Sequence, residues 1–545
     1  MNRKHRPGPP PPPQVVTPAM SYQVPPLVEQ MFNEAVARHQ ANQLLQAEAL
    51  YRAILALEPG HVSASYNAGV LLQTQGRQEE AVLFYKNAVT VKPDYSEAYC
   101  NLGTALQDLG RLDEAVAIYQ QAISIRPDFA MAYCNLGVAL KMQGKLPESI
   151  QAYQQAIRLN PQYDWAYANM GAAYMDMGLL DESLAAAQKA ITLNPTMIMG
   201  YFNLGTVYKG LNRLSEAEQI FRQAIALQPS FVEAHFVLGQ VLLTQGRLAE
   251  GWGEYEWRWN LKEYGWLKSL HGEFSQPRWN GEPLQGKTIL VYAEQGMGDT
   301  IQYVRYLPWL VDMGATVILA VHPPLVTLFS QLKRIFVIPL DQKPLPAFDY
   351  HSPLLSLPRL QGTQLFNVPA NVPYLHADEN LVQQWLPRLG GGLRVGLVWA
   401  GNPTQKGDKF RSPRLASMFP LFDIPGVTFI ALQVGEGRQD LQQYPLPPHV
   451  IDLGKEIKDF SDTAAIMKSL DLMITSCTAP LHLAGALGVR TWGVIPYSPH
   501  FLWMLNREDS PWYPTLRLYR QDRYDVNWSQ VIQQVRQDLL ALRSA

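Results

Sequence analysis

Residues 96–128, SEAYCNLGTALQDLGRLDEAVAIYQQAISIRPD, spell two amphipathic helices and the turn between them. Tyr99, Leu102, Gly103 and Leu106 fall at helical spacing in the first, and Ala115, Tyr119 and Ala122 in the second. DLGRLDEA supplies a glycine-bearing turn, and Pro127 ends the unit. The pattern returns every 34 residues, with Asn33, Asn67, Asn101, Asn135, Asn169 and Asn203 in one column. Gly69, Gly103, Gly137, Gly171, Gly205 and Gly239 keep the same beat, as do prolines from Pro59 to Pro229. A strict period of this length predicts an all-α superhelix of about six to seven stacked helix pairs over residues 27–262. Small residues, glycine in helix one and alanine in helix two, let the paired helices approach closely. The first unit (28–61) has Ala35 where glycine belongs. The last (232–262) dissolves into GWGEYEWRWN, whose aromatic residues predict packing onto the domain that follows.

The asparagines stand at position six of each unit, about 200° around the helix from position four of the core stripe. They are therefore predicted to lie away from their own helix pair and to line one continuous, concave face. An amide there can donate to and accept from a peptide backbone, which is sequence-tolerant recognition. Spacing and residue types resemble the tetratricopeptide repeat. The resemblance implies a protein or peptide partner held by Asn33, Asn67, Asn101, Asn135, Asn169 and Asn203. It also offers a plainer reading, since asparagine is a common consensus residue at this place in such repeats.

The 545 residues exceed what one core supports, so two to four domains are expected. A net charge of −2 gives no electrostatic case for nucleic acid or an anionic membrane. Cys100 and Cys134 hold equivalent places in successive units, a helix pair apart, which speaks against a disulfide and for a reducing, cytoplasmic setting. No apolar run is long enough to span a bilayer, and no signal peptide opens the chain. Residues 1–26 hold nine prolines and no acidic residue, the composition of a disordered or polyproline tail.

After a proline- and glycine-rich linker (263–285) the chain changes character. TILVYA (288–293), ATVILAV (315–321) and RIFVIPL (334–340) read as buried strands alternating with helices. A second series follows: LRVGLVWAG (393–401), VTFIALQVG (427–435), LDLMITS (470–476), the helix APLHLAGALG (479–488), and RTWGVIP (490–496). Such alternation predicts two Rossmann-like domains, 286–392 and 393–545, with a ligand in the cleft beyond the strand carboxyl ends. QGMGDT lacks the third glycine of a dinucleotide fingerprint, so an NAD enzyme fits poorly.

AEQGMGDTIQYVRYLP (293–308), GLVWAGNPTQKGDKFRS (396–412), DFSDTAAIMKSLDLMIT (459–475), HLAGALG (482–488) and REDSPWYPTLRLYRQ (507–521) together resemble glycosyltransferase family 9, the heptosyltransferase-like enzymes of the two-domain GT-B fold. The layout, repeats before such a domain, is also similar to that of protein O-GlcNAc transferases. The resemblance implies transfer of a sugar from a nucleotide-diphosphate donor to an acceptor hydroxyl. Asp299 is then the general base, with helix capping as its structural alternative. Gly296 and Gly298 open the backbone beside it, and Asn402, Lys409, Arg411, Gln433, Thr478 and His482 form the donor site. Lys409 and Arg411 serve the diphosphate charge, Thr478 opens a helix whose dipole suits phosphate, and Gln433 meets base or ribose. His482 is either a donor-site residue or a core histidine. No aspartate stands two residues from another, so the DxD metal motif is absent and no metal or other cofactor is expected. One departure matters: Ser476-Cys477-Thr478 stands where the family commonly has aspartate-threonine. Two further readings therefore stay open, a repeat scaffold with a degenerate transferase domain and an enzyme acting on a glycan or lipid.

Overall fold

The computed structural model describes residues 26–261, 274–403 and 407–544. The proline-rich stretch 1–25 and residues 263–273 of the expected linker lie outside them. Residue contacts divide the chain into two compact units, one ending at Val207 and the other beginning at Tyr208. The last repeats thus cluster with the parallel-sheet half.

In the first unit helices alternate, for example Ser96–Asp108 with Leu112–Ile125 and Ala130–Met142 with Leu146–Leu159. Gly103 shows why the glycine column exists. A Cβ there would stand 2.6 Å from the Tyr119 ring, which is fully buried against it. The turn closes at Gly110 in the left-handed region (φ 76°), where its amide donates to Gln107 and that of Arg111 to Leu106. Asn42 takes the glycine's place in the first turn, at φ 57°. Asparagine tolerates this backbone better than other residues with a Cβ.

The second unit contains two wholly parallel sheets. The first has order β3-β2-β1-β4, from β1 (Thr288–Tyr292), β2 (Thr316–Val321), β3 (Ile335–Pro339) and β4 (Tyr350–Pro353). The second runs β10-β9-β8-β5-β6-β7. Its members are β5 (Leu393–Val398), β6 (Val427–Ala431), β7 (Ile451–Asp452), β8 (Leu472–Ser476), β9 (Thr491–Ile495) and β10 (Leu516–Arg520). In each sheet the chain starts in the middle and builds to either side. The order reverses between β1 and β4 and between β5 and β8, and crevices beyond such reversals are where open α/β sheets bind ligands. The end of the repeat region packs here too. Trp252 meets Tyr303 and Phe501 edge-on at ring separations of 6.0 and 5.8 Å, and Asn212 donates to the Tyr497 carbonyl at 2.6 Å. No described helix is long and apolar enough to cross a membrane.

Candidate functional site

Beyond β1 the backbone turns at Gly296, which caps the helix Met297–Tyr303. Asp299 is the third residue of that helix. Its carboxylate accepts from the Gly296 amide and from its own, so it reaches back to the helix start rather than occupying the cap position. Burial lifts the carboxyl to about 6, against the pull of those amides and of Arg411. Gly298 brings the loop onto the second sheet's domain. A Cβ there would come within 3.0 Å of the His482 ring and 3.3 Å of Ala479 Cα, at the start of the helix Ala479–Ala486.

The facing wall is built from the ends of β5 and β8. A Cβ on Gly401 would stand 2.5 Å from Arg411 Nη2, 3.0 Å from Thr478 Cγ2 and 3.1 Å from Asp408 Oδ1. Arg411 and Thr478, 67 residues apart in sequence, thus meet over one glycine. A chain of bonds fixes the guanidinium. Arg411 Nη2 donates to Asp408 Oδ1 (2.9 Å), Ser412 Oγ donates to the same oxygen (2.9 Å), and Gly401 N–H donates to Ser412 Oγ (3.0 Å). Thr478 turns its hydroxyl back to the Ser476 carbonyl and makes no side-chain cap.

Below lies a buried floor. The His482 ring nitrogen Nδ1 pairs with Tyr513 Oη at 3.1 Å, and burial holds the imidazole down near 3, so it is neutral. His500 is held near 3 in the same way, with Lys209 and Arg411 adding to the effect of burial. Cys477 accepts the Trp503 indole N–H at 2.8 Å, and burial raises its thiol above the ordinary value. It is a protonated core thiol without nucleophilic character.

One donor-site expectation needs correction. Gln433 is buried with its amide fully engaged. Its oxygen accepts from Trp399 and Ala400 amides, and its NH2 donates to the Ala400 and Val434 carbonyls. Those four bonds exhaust a carboxamide, leaving nothing for a base or ribose. His482, open between donor site and core in the sequence, is buried and neutral against Gly298. Lys409 is exposed, its ammonium 4.8 Å from the centre of the Phe410 ring, and Asn402 is exposed.

The asparagine column is also corrected in part. Asn67, Asn101, Asn135 and Asn169 are buried, at no more than 8% exposure; Asn203 is half-buried and Asn33 exposed. From Asn101 onward each amide reaches the residue 35 positions earlier. Asn101 donates to Tyr66 Oη (2.9 Å), Asn135 to Cys100 Sγ (3.4 Å), Asn169 to Cys134 Sγ (3.9 Å) and Asn203 to the Ala168 carbonyl (3.1 Å). Position six does point away from its own helix pair, but toward the preceding unit rather than open solvent. The column staples repeat to repeat.

Sequence reasoning missed Asp408 and Ser412; the helical spacing of Asp408 from Ser412 and from Arg411 was the available signal. It also missed a buried ion pair at the junction, Arg258 with Glu294. Family models described as TPR repeat match residues 74–110, 105–144 and 139–178, and models described as tetratricopeptide repeat match 165–197 and 202–255. The helical region is a tetratricopeptide-repeat array. Protein FlbA of Caulobacter vibrioides is 29% identical over 318 residues, covering 51% of this chain and 50% of FlbA. The chain thus spans about half the length of that curated relative. Among solved structures, MamA (26% identity, TM-score 0.28) matches 30% of this chain and 94% of its own. YrrB, a TPR protein with an unusual peptide-binding site (21%, TM-score 0.28), matches 34% of this chain and 95% of its own.

Proposed function

We propose that the chain is a glycosyltransferase of GT-B type, moving a sugar from a nucleotide-diphosphate donor to an acceptor hydroxyl on a protein held by the tetratricopeptide array. The observation that carries this reading is that Asp299 feels the charge of Arg411, which meets Thr478 over Gly401, while Gly298 beside Asp299 lies against Ala479, where both sheets reverse order. A carboxyl lifted to about 6 suits a general base near neutral pH. Asp299 takes the acceptor's hydroxyl proton while that oxygen bonds to the anomeric carbon. The bond from that carbon to the diphosphate oxygen breaks, and its electron pair leaves with the nucleotide. The Arg411 guanidinium and the amino end of Ala479–Ala486 offset the growing negative charge.

A second reading, a scaffold without chemistry, is favoured by Cys477. A thiol bonded to Trp503 cannot replace a carboxylate that would bind donor hydroxyls. The discriminating experiment uses the full chain with UDP, GDP and ADP and a panel of their sugars. The transferase reading expects at least one nucleotide to raise the melting temperature, Arg411→Ala to abolish that rise, and Asp299→Asn to keep it while ending transfer. Absence of any rise together with absence of transfer sinks the reading and leaves the scaffold. Transfer to a glycan or lipid but to no protein would keep the enzyme and remove the array from acceptor binding.

A further inference from the structure

Arg258 and Glu294 are both wholly withdrawn from solvent, and their side chains meet at 2.8 Å. Arg258 belongs to the 3-10 turn Glu256–Asn260 that ends the last repeat, whereas Glu294 lies two residues before Gly296. The Arg258 fork also reaches Glu256 (2.7 Å), the Tyr255 carbonyl (3.2 Å) and Ser356 Oγ (2.9 Å). Glu294 Oε1 accepts in addition from the Leu355 amide, and Arg278 closes the network onto Glu256. Beside it, Gln295 Nε2 donates to Tyr255 Oη at 2.7 Å. The two residues leading into Gly296 are thus each held by a side chain of the terminal repeat. Trp252 of the same repeat packs against Tyr303, at the far end of the Asp299 helix.

We propose that Arg258, seconded by Tyr255, is a positioning residue for the Asp299 loop, so that the last repeat is a working part of the site and not only a spacer. This rests on the transferase reading for its purpose, though not for its geometry. Burying two ions is costly, and an apolar pair of equal volume would hold the junction at least as firmly. What the charged pair adds is direction. A planar fork bonded to four acceptors fixes where the residues after β1 leave the sheet. A loop freed from that hold would open the half-buried Asp299 carboxyl further to water. The groups facing that carboxyl are Arg411 and Cys477 across the crevice, Tyr303 on its own helix and the Gly296 amide, with neutral His482 against Gly298.

The test is a carbon-13 titration of aspartate carboxyls in the full chain, with the Asp299 signal assigned by its loss in Asp299→Asn. Its midpoint is expected near 6 and should fall toward the ordinary aspartate value of about 4 in Arg258→Met, and part of the way in Tyr255→Phe. Tyr255→Phe removes only a hydroxyl, so it decides the matter if Arg258→Met does not fold. An unchanged midpoint in the folded variants overturns the proposal. If the midpoint moves but no nucleotide binds and no sugar is transferred, the clamp stands and the transferase reading falls. If transfer depends on Asp299 while neither variant touches midpoint or rate, the clamp falls and the transferase reading stands.

Discussion

The repeat array and the parallel-sheet body differ in the partners they give their buried polar groups. In the array the repeated buried bonds are those of neutral amides, with Asn101, Asn135, Asn169 and Asn203 each bonding the preceding unit, and the charged pair Lys141–Asp176 stands beside them. In the sheet body, and where the last repeat meets it, several carry charge: Arg258 against Glu294, Arg305 among Tyr374, Trp512 and Tyr513, and the half-buried Asp299. Neutral bonds each contribute modestly and can be copied from unit to unit. Buried charges are expensive alone, depend on a particular partner, and occur where a group must be held in one place. The chain is generic where its buried bonds repeat, and specialised where they are charged.

Four variants probe this contrast. Arg258→Met leaves Glu294 without its partner, and a loss of about 3–5 kcal/mol in unfolding free energy at pH 8 is expected. The loss should shrink at pH 6, because burial already holds that carboxyl near 7 with Arg258 present and it then takes up a proton. Chemical denaturation at the two pH values measures it. An equal loss at both would remove the charge argument.

Asp299→Asn goes the other way. The folded carboxyl sits near 6, above its ordinary value, so its proton-linked stability is full below about 4 and lost as pH rises through 6. A permanently neutral amide avoids that loss. The variant should be more stable by about 1–2 kcal/mol at pH 8 and level with wild type near pH 4. Thermal melts across that range decide it, and a variant less stable at pH 8 would mean that the carboxylate is welcome where it lies.

The smallest effect belongs to the array. Asn135→Ala removes the bonds to Cys100 and Thr104 and should cost about 0.5–1.5 kcal/mol, whereas exposed Asn33→Ala should change stability by close to nothing. Equal losses would contradict the stapling role; reduced peptide binding in Asn33→Ala alone would restore a recognition role at the open end of the column.

Legibility follows the range of the interactions. Helix pairs are readable because each is made by neighbours within 34 residues, and β1, β2, β3, β5, β6, β8 and β9 because their apolar runs need no partner to be recognised. β4 (YHSP), β7 (two residues) and β10 escape such a reading, being short or interrupted by polar residues that the sheet tolerates at its margins. At the site, Asp299, Arg411 and Thr478 are readable as residue types in loops after strands. Gln433 misleads because its four backbone acceptors and donors come from two different strand ends. His482 leaves two assignments open because its charge depends on burial beneath Gly298.

Local spacing along the chain is enough to specify the periodic half and the alternation of strand and helix. It also places a carboxylate, a guanidinium and a helix start in loops beyond strand ends. Three outcomes came instead from the assembled fold: most of the asparagine column faces another repeat, Arg411 meets Thr478 over Gly401, and the terminal repeat grips the Asp299 loop. They depend on which surfaces meet and how much water is left between them, and no spacing along one chain encodes that directly.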